Sequence, residues 1–358
     1  MKRTIPAVAR VILLPVVLTV LTLSPARMEA QNEALFPVTL RGKTGYIDGQ
    51  GKLIINPIYD EGLDFSEGLA PIRIGNKWGY INTLGRIVIK TQFFQAMPFN
   101  QGIASVGVFY AGERLIDNQV GYYSYINKTG GLITKTRFAV AFDFSDGLAR
   151  VLTEDSQSCY MDKSGLLAFC REDHSSEDFS DGLALFKTQS GLPESLEGYI
   201  DKTGKIVIDP KFHLGNAYSE GMACVSEDGK AEFIDKKGAR LFNLQFEDCR
   251  SFREGLAAVR IDGKTGYIDG TGKIVIKPRF DEGRSFSDGR ASVRAGDKWG
   301  YIDQTGNTIV SPQFSQTGDF RNGVAKVNIN GKYGSVELEY WERWAYIDKA
   351  GRIIWKSP

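Results

Sequence analysis

The 358-residue sequence is short of the groups that carry most enzyme chemistry. It has two histidines, His174 and His213, and four cysteines. Neither histidine stands in a motif, and no Ser/His/Asp, Cys/His or paired-carboxylate arrangement has a setting that would support catalysis. No glycine-rich phosphate cradle occurs. The cysteines form no CxxC pair and keep no histidine company, which excludes the usual zinc frameworks. An excess of one charge is missing as well: 44 Lys+Arg stand against 43 Asp+Glu, for a net charge of +1. With no dense basic run either, the chain has no electrostatic footprint for nucleic acid. The sequence thus predicts no enzyme, no cofactor and no metal site.

Long apolar runs are confined to the N-terminus. Lys2, Arg3 and Arg10 precede the run from Val11 to Leu23, and small residues follow at Ser24, Ala26 and Ala30. That order is the pattern of a secretory signal peptide. The run is short for a membrane span of about 20 residues, which disfavours an uncleaved anchor. Cleavage after Ala26 or Ala30 suits the pattern, with Ala30 favoured. Residues 1–30 are therefore expected to be removed, leaving 31–358 as one soluble array, periplasmic or secreted, with no stable membrane insertion. Four cysteines agree with an oxidising compartment. Cys159 and Cys170 bracket a hairpin centred on 163–165 and are expected to be bridged across it. Cys224 and Cys249 lie about one repeat apart; they could meet between adjacent strands, and their pairing stays open.

What the chain has in abundance is repetition, which takes precedence over other readings. Tyr-Ile-Asp or a variant recurs at Tyr46, Tyr80, Tyr125, Tyr160, Tyr199, Phe233, Tyr267, Tyr301 and Tyr346. Phe-x-x-Gly-x-Ala recurs at Phe65, Phe99, Phe144, Phe179, Tyr218, Phe252, Phe286 and Phe320. The step from each aromatic of the first set to the next of the second never changes: Tyr46 to Phe65, Tyr125 to Phe144 and Tyr301 to Phe320 span the same distance. Length varies only ahead of the tyrosine. The gap from Ala to Tyr is short and constant in four copies, as from Ala257 to Tyr267. It is equally enlarged from Ala104 to Tyr125 and from Ala325 to Tyr346. One segment is held by packing and one loop is free, so insertions project from one face of the array.

Each copy reads as three short antiparallel strands. In one copy strand A is 256–261, strand B 265–269 and strand C 273–277, with Gly, Asp and Pro at the turns. The segment before Phe286 suits a short fourth strand. Strand C is apolar at consecutive positions, as in Ile87-Val88-Ile89, which predicts burial of both its faces. One unit cannot bury its own core, whereas stacked units can. The Asp of Tyr-Ile-Asp, with Asn82 and Asn127 in two copies, could form a row of cation ligands. Capping of Asp-x-x-Gly turns is the better reading.

Lys77-Trp78-Gly79-Tyr80-Ile81-Asn82 and Lys298-Trp299-Gly300-Tyr301-Ile302-Asp303 resemble the bacterial WG repeat. The resemblance covers about residues 36–356. The glycine is lost before Tyr125, Tyr160, Phe233 and Tyr346, so those copies are degenerate. The resemblance implies a β-rich binding or display module without a common catalytic function. The fold class expected is all-β, with tandem repeats of about 34 residues forming a β-propeller-like ring. The alternative is an open β-superhelix, because nine units exceed the usual 4–8 blades and no exchanged strand is evident to latch a ring.

The two long insertions carry the candidate binding residues: Phe109, Tyr110, Tyr122 and Tyr123 in one, Tyr340, Trp341 and Trp344 in the other. Aromatics on hairpin tips suit a protein or cell-envelope glycan. The plainer reading folds them back as extended strands A and B. An exported binding scaffold is thus the expected function; an exported polysaccharide lyase or hydrolase is the alternative.

Overall fold

The computed structural model describes residues 34–110, 121–171, 176–188, 195–330 and 343–358. Every regular element among them is a β-strand. The strands form eight hydrogen-bonded sheets, one of which has seven strands because it fuses the third and fourth repeats, so there are nine units. A standard unit adds strand D to the three expected ones, in the order D-A-B-C. In the second repeat these are Glu61–Gly62, Leu69–Ile74, Lys77–Asn82 and Ile87–Phe93. Strand D is the fourth strand anticipated before the Phe-x-x-Gly turn, and D segments stand beside one another round the array. Ser285 donates its hydroxyl to the Ser251 carbonyl, and Ser251 to that of Ala217.

The invariant spacing has a direct physical cause. In all eight pairs, the aromatic of Tyr-Ile-Asp meets the aromatic that opens the next copy, with ring centroids 4.8–5.3 Å apart. Tilted and edge-on contacts of this kind add to the energy of burial. Seven of the tyrosines also donate their hydroxyl to a carbonyl just short of that ring, from Tyr46 to Leu63 and from Tyr301 to Gly318. Ring and hydroxyl together fix the distance between one sheet and the next, so a residue inserted in this segment would break both contacts.

The Phe-x-x-Gly turns form a second chain of links. Glu67 accepts from the Gly102 amide, Asp146 from Gly182, Asp181 from Gly221, Glu220 from Gly255, Glu254 from Gly289 and Asp288 from Gly323. Gln101 does the same for Gly147. These side chains sit on left-handed backbone, at φ 52° for Glu67 and 55° for Asp288. Such strain persists where neighbouring structure fixes it, and the forward hydrogen bond does so here.

The array closes into a propeller-like ring, and among the described residues it does so without an exchanged strand. Tyr346 of the ninth repeat donates its hydroxyl to the Pro37 carbonyl at 2.9 Å, and its ring lies 5.7 Å from that of Phe36. Val38, Ile47, Val324 and Tyr346 form one buried cluster across the seam. The first sheet has only strands A to C among the described residues. In the second repeat, the carbonyl equivalent to that of Pro37, on Pro71, accepts from the Leu63 amide of the strand D segment. At the seam the tyrosine hydroxyl takes that acceptor instead.

Strand C departs from expectation. Only the third residue of its apolar run is buried: Ile89 is 3% exposed, whereas Ile87 and Val88 are 50% and 46% exposed. Ile206-Val207 and Ile274-Val275 repeat the pattern. In a standard unit strand C is the outer edge of its sheet; its first two residues, Ile87 and Val88, meet solvent, while Ile89 packs with Phe99 and Val106 of the next repeat. The Asp row caps turns, as expected: Asp48 accepts from the amides of Gln50 and Lys52, and Asn82 from those of Leu84 and Arg86.

The Trp-Gly glycine answers to strand C. A Cβ on Gly79 would stand 2.6 Å from the Ile89 carbonyl oxygen, and one on Gly300 2.3 Å from that of Val310. Strand C bulges at that point, with Trp78 opposite Phe93 but Tyr80 opposite Ile89. In the fourth repeat Cys159 replaces the glycine, and the bulge there is gone: Cys159 pairs with Cys170 and Tyr160 with Phe169 in direct succession. Ala345 shows the same in the ninth. In these two degenerate copies strand C no longer crowds the position.

Both cysteine pairs are bonded, Cys159 to Cys170 and Cys224 to Cys249. The first closes the hairpin that the sequence predicted. The second joins strand A of the sixth repeat to strand D of the seventh.

Candidate aromatic rim site

In the third repeat, strands A (Ile103–Phe109) and B (Gly121–Asn127) run longer than in a standard unit, with Phe109 opposite Gly121 and Val108 opposite Tyr122. The aromatics are therefore not on a hairpin tip. Phe109, Tyr122 and Tyr123 lie in the extended strands, Tyr110 directly follows strand A, and all four are half-buried. For Phe109, Tyr122 and Tyr123 this is the strand placement that the plainer sequence reading expected. Because strands alternate their side chains, the group divides over two faces.

On one face the Phe94 ring lies 5.7 Å from Phe109 and 5.4 Å from Tyr123, whose hydroxyl donates to Gln95 Oε1 at 2.8 Å. A Cβ on Gly107 or Gly121 would strike the Phe94 ring, at 2.3 and 2.7 Å. These two glycines make the floor that seats it. On the other face Tyr110 and Tyr122 are 5.7 Å apart, and the Arg137 guanidinium lies over both, at 5.7 and 4.8 Å. Arginine over tyrosine contributes about 0.5–1 kcal/mol at an exposed site, so it orders the rings while leaving the guanidinium solvated.

Phe94 and Arg137 were not among the residues singled out from sequence, although a signal for Phe94 existed. It precedes Phe99 at the same interval at which Asp60 precedes Phe65 and Asp281 precedes Phe286. Those aspartates tie consecutive A–B turns together. Asp60 accepts from Lys43 and from the Gly75 amide, and Asp281 from Lys264 and the Gly296 amide. At the third repeat this polar tie gives way to an aromatic cluster on the same rim.

Between the third and fourth repeats, next to Tyr123, lies a cavity of about 200 Å³ lined by Gln95, Met97, Ser105, Tyr123, Phe142, Asp143 and Asp178, among others. Burial pushes the Asp143 carboxyl above its usual range; the neighbouring Asp178 charge adds to this, and Ser105 Oγ at 3.4 Å acts in the opposite sense. Asp178 is paired with Arg150 at 2.8 Å, and that guanidinium lies 4.0 Å from the centre of the Phe142 ring.

Of the second insertion, Tyr340 and Trp341 lie outside the described residues. Trp344 stands in strand B (Arg343–Asp348), half-buried, with Lys326 Nζ 4.8 Å from its ring. The first and second repeats separate it from the third-repeat cluster, so the structure does not bring the two groups into one patch. His213 is exposed, and His174 lies outside the described residues.

Comparison with known proteins places these features. The family described as WG containing repeat matches at residues 45–78, 78–108, 123–155, 198–230, 233–264, 266–299 and 299–333. The crystal structure of a eukaryotic initiation factor is similar, with a TM-score of 0.61 at 10% identity over 91% of this chain and 95% of that one. BamB from Moraxella catarrhalis aligns with a TM-score of 0.39, at 11% identity over 82% of this chain and 92% of that one. The C-terminal WD40 domain of Sif2 gives 0.34, at 13% identity over 76% and 84%. Identities this low speak for the fold alone, and the two lower scores support no argument. No curated protein matches the sequence. The repeat matches cover well over half of the residues, and the chain belongs to the WG containing repeat family.

Proposed function

We propose that this protein is an exported binding scaffold whose A–B rim engages a cell-envelope glycan or an envelope protein, with the third repeat as its main contact. The observation that carries the reading is an ordered aromatic cluster at the third repeat, at the place where the second and eighth repeats carry a polar turn tie. Tyr110, Tyr122 and Arg137 offer rings and a guanidinium on a rigid strand pair, which suits recognition better than a loose loop does. Export is supported by the N-terminal pattern and by two disulfides, which persist in oxidising compartments. No helix among the described residues is long and apolar enough to cross a membrane.

The test uses purified envelope polysaccharide and envelope proteins with wild-type protein and a Tyr110→Ala/Tyr122→Ala variant. The variant is expected to lose at least about tenfold in affinity, roughly 1.4 kcal/mol, with its melting temperature close to that of wild type. Equal binding by both proteins would remove the rim from function. N-terminal sequencing of cell-derived protein checks export separately, a start near Arg27 or Gln31 being expected and an intact Met1 contradicting it. Turnover of the polysaccharide would favour the competing reading, an exported lyase or hydrolase.

A further inference from the structure

The cavity beside Tyr123 has a composition that the ring itself does not need. Asp178 is satisfied by Arg150, and Arg150 is held in turn by the Ser176 carbonyl and the Phe142 ring. Asp143 has no such support. Among the described residues its hydrogen bond comes from Ser105 at 3.4 Å, and no cation pairs with it. A half-buried carboxylate without a counter-charge is costly, and this one stands beside the rings of Tyr123 and Phe142. Carboxylate plus aromatic ring is the combination that recognises an ammonium group. Gln95 and Ser105 add an amide and a hydroxyl for neighbouring hydroxyls, and about 200 Å³ suits a single sugar ring better than a drug-sized ligand.

We infer that the cavity between the third and fourth repeats binds an amino sugar with a free ammonium group, through Asp143. The inference rests on the proposed glycan-binding role and deepens it, because Tyr123 belongs both to the rim cluster and to the cavity wall. In the bound state the ammonium group is the cation that pairs with Asp143. The sugar's apolar face meets Tyr123 and Phe142, and its hydroxyls meet Gln95 and Ser105. An N-acetylated sugar brings no charge and adds a bulky acyl group at the carboxylate, so it is refused.

The experiment is calorimetric titration of the full mature protein with glucosamine, glucose and N-acetylglucosamine. Glucosamine is expected to bind at least about tenfold more tightly than either neutral sugar, and Asp143→Asn is expected to abolish the preference. Equal affinity for all three would overturn the ammonium assignment, and no binding of glucosamine would overturn the site. Preference in the wild-type protein decides the matter even if Asp143→Asn folds poorly. That variant should instead melt at or above the wild-type temperature, since it removes a half-buried carboxyl that has no paired cation among the described residues. The Tyr110→Ala/Tyr122→Ala protein separates the two readings. Glucosamine binding retained there while polysaccharide binding persists would sink the rim and spare the cavity.

Discussion

Tyr267→Ala is expected to cost about 3–5 kcal/mol, the range for removing a large buried aromatic. The ring is fully buried, packs against Phe286 at 5.1 Å and donates to the Arg284 carbonyl at 2.9 Å. The loss would fall on the contact between two sheets rather than within one, so it should also reduce the cooperativity of unfolding. Tyr267→Phe keeps the ring and leaves one carbonyl unpaired, for about 1–3 kcal/mol. Urea unfolding of both variants tests the assignment. If the two cost the same, the ring contact is not what holds the constant spacing.

Removing the Cys224–Cys249 bridge is the second large effect. Closing a loop of this length contributes about 3–4 kcal/mol in the chain-entropy account, and its position raises its weight. Among the described residues the sixth repeat has no regular strand C; strand B meets the following segment only at isolated bridges, Ala231 with Phe246 and Ile234 with Arg240. The disulfide ties that repeat to the next where the hydrogen-bond ladder is thin. A Cys224→Ala/Cys249→Ala protein should unfold first at the sixth and seventh repeats, read as early loss of amide protection at 223–234. The Cys159→Ala/Cys170→Ala protein, whose bridge only staples a hairpin already in register, should lose less. The reverse order would contradict this account of the sixth repeat.

The repeat, its constant segment and its variable turn were legible in the sequence because each leaves a mark at fixed spacing. Tyr80 and Phe99 announce one another by their interval without saying why; the ring contact supplies the reason. The apolar run Ile87-Val88-Ile89 misled because hydrophobicity cannot separate a strand buried on two faces from an edge strand with one face in solvent. The ring was the expected fold, but the device that closes it was not legible. It rests on Tyr346 taking the acceptor of Pro37 from the opposite end of the array, and no local pattern records that substitution of a hydroxyl for a strand. At the rim, Phe109, Tyr110, Tyr122 and Tyr123 stood out as a break in the repeat, but the partners that order them, Phe94 and Arg137, come from neighbouring segments. Asp143 looked like any residue before a Phe-x-x-Gly turn until the structure placed it in a cavity, with no ion pair to it among the described residues.

All of these readings depend on the nine repeats forming one closed ring. The direct measurement is the distance between spin labels at Gln50 and Ala350, both exposed residues in B–C turns of the first and ninth repeats, in otherwise wild-type protein. A closed ring makes these turns neighbours: a Cβ on Gly51 would lie 1.9 Å from the Ile354 carbonyl oxygen, and packed sheets stand about 10 Å apart. The account predicts one narrow, short distance, unchanged by dilution and lengthened only on unfolding. A single long distance, of many sheet spacings, would show an open superhelix and contradict it.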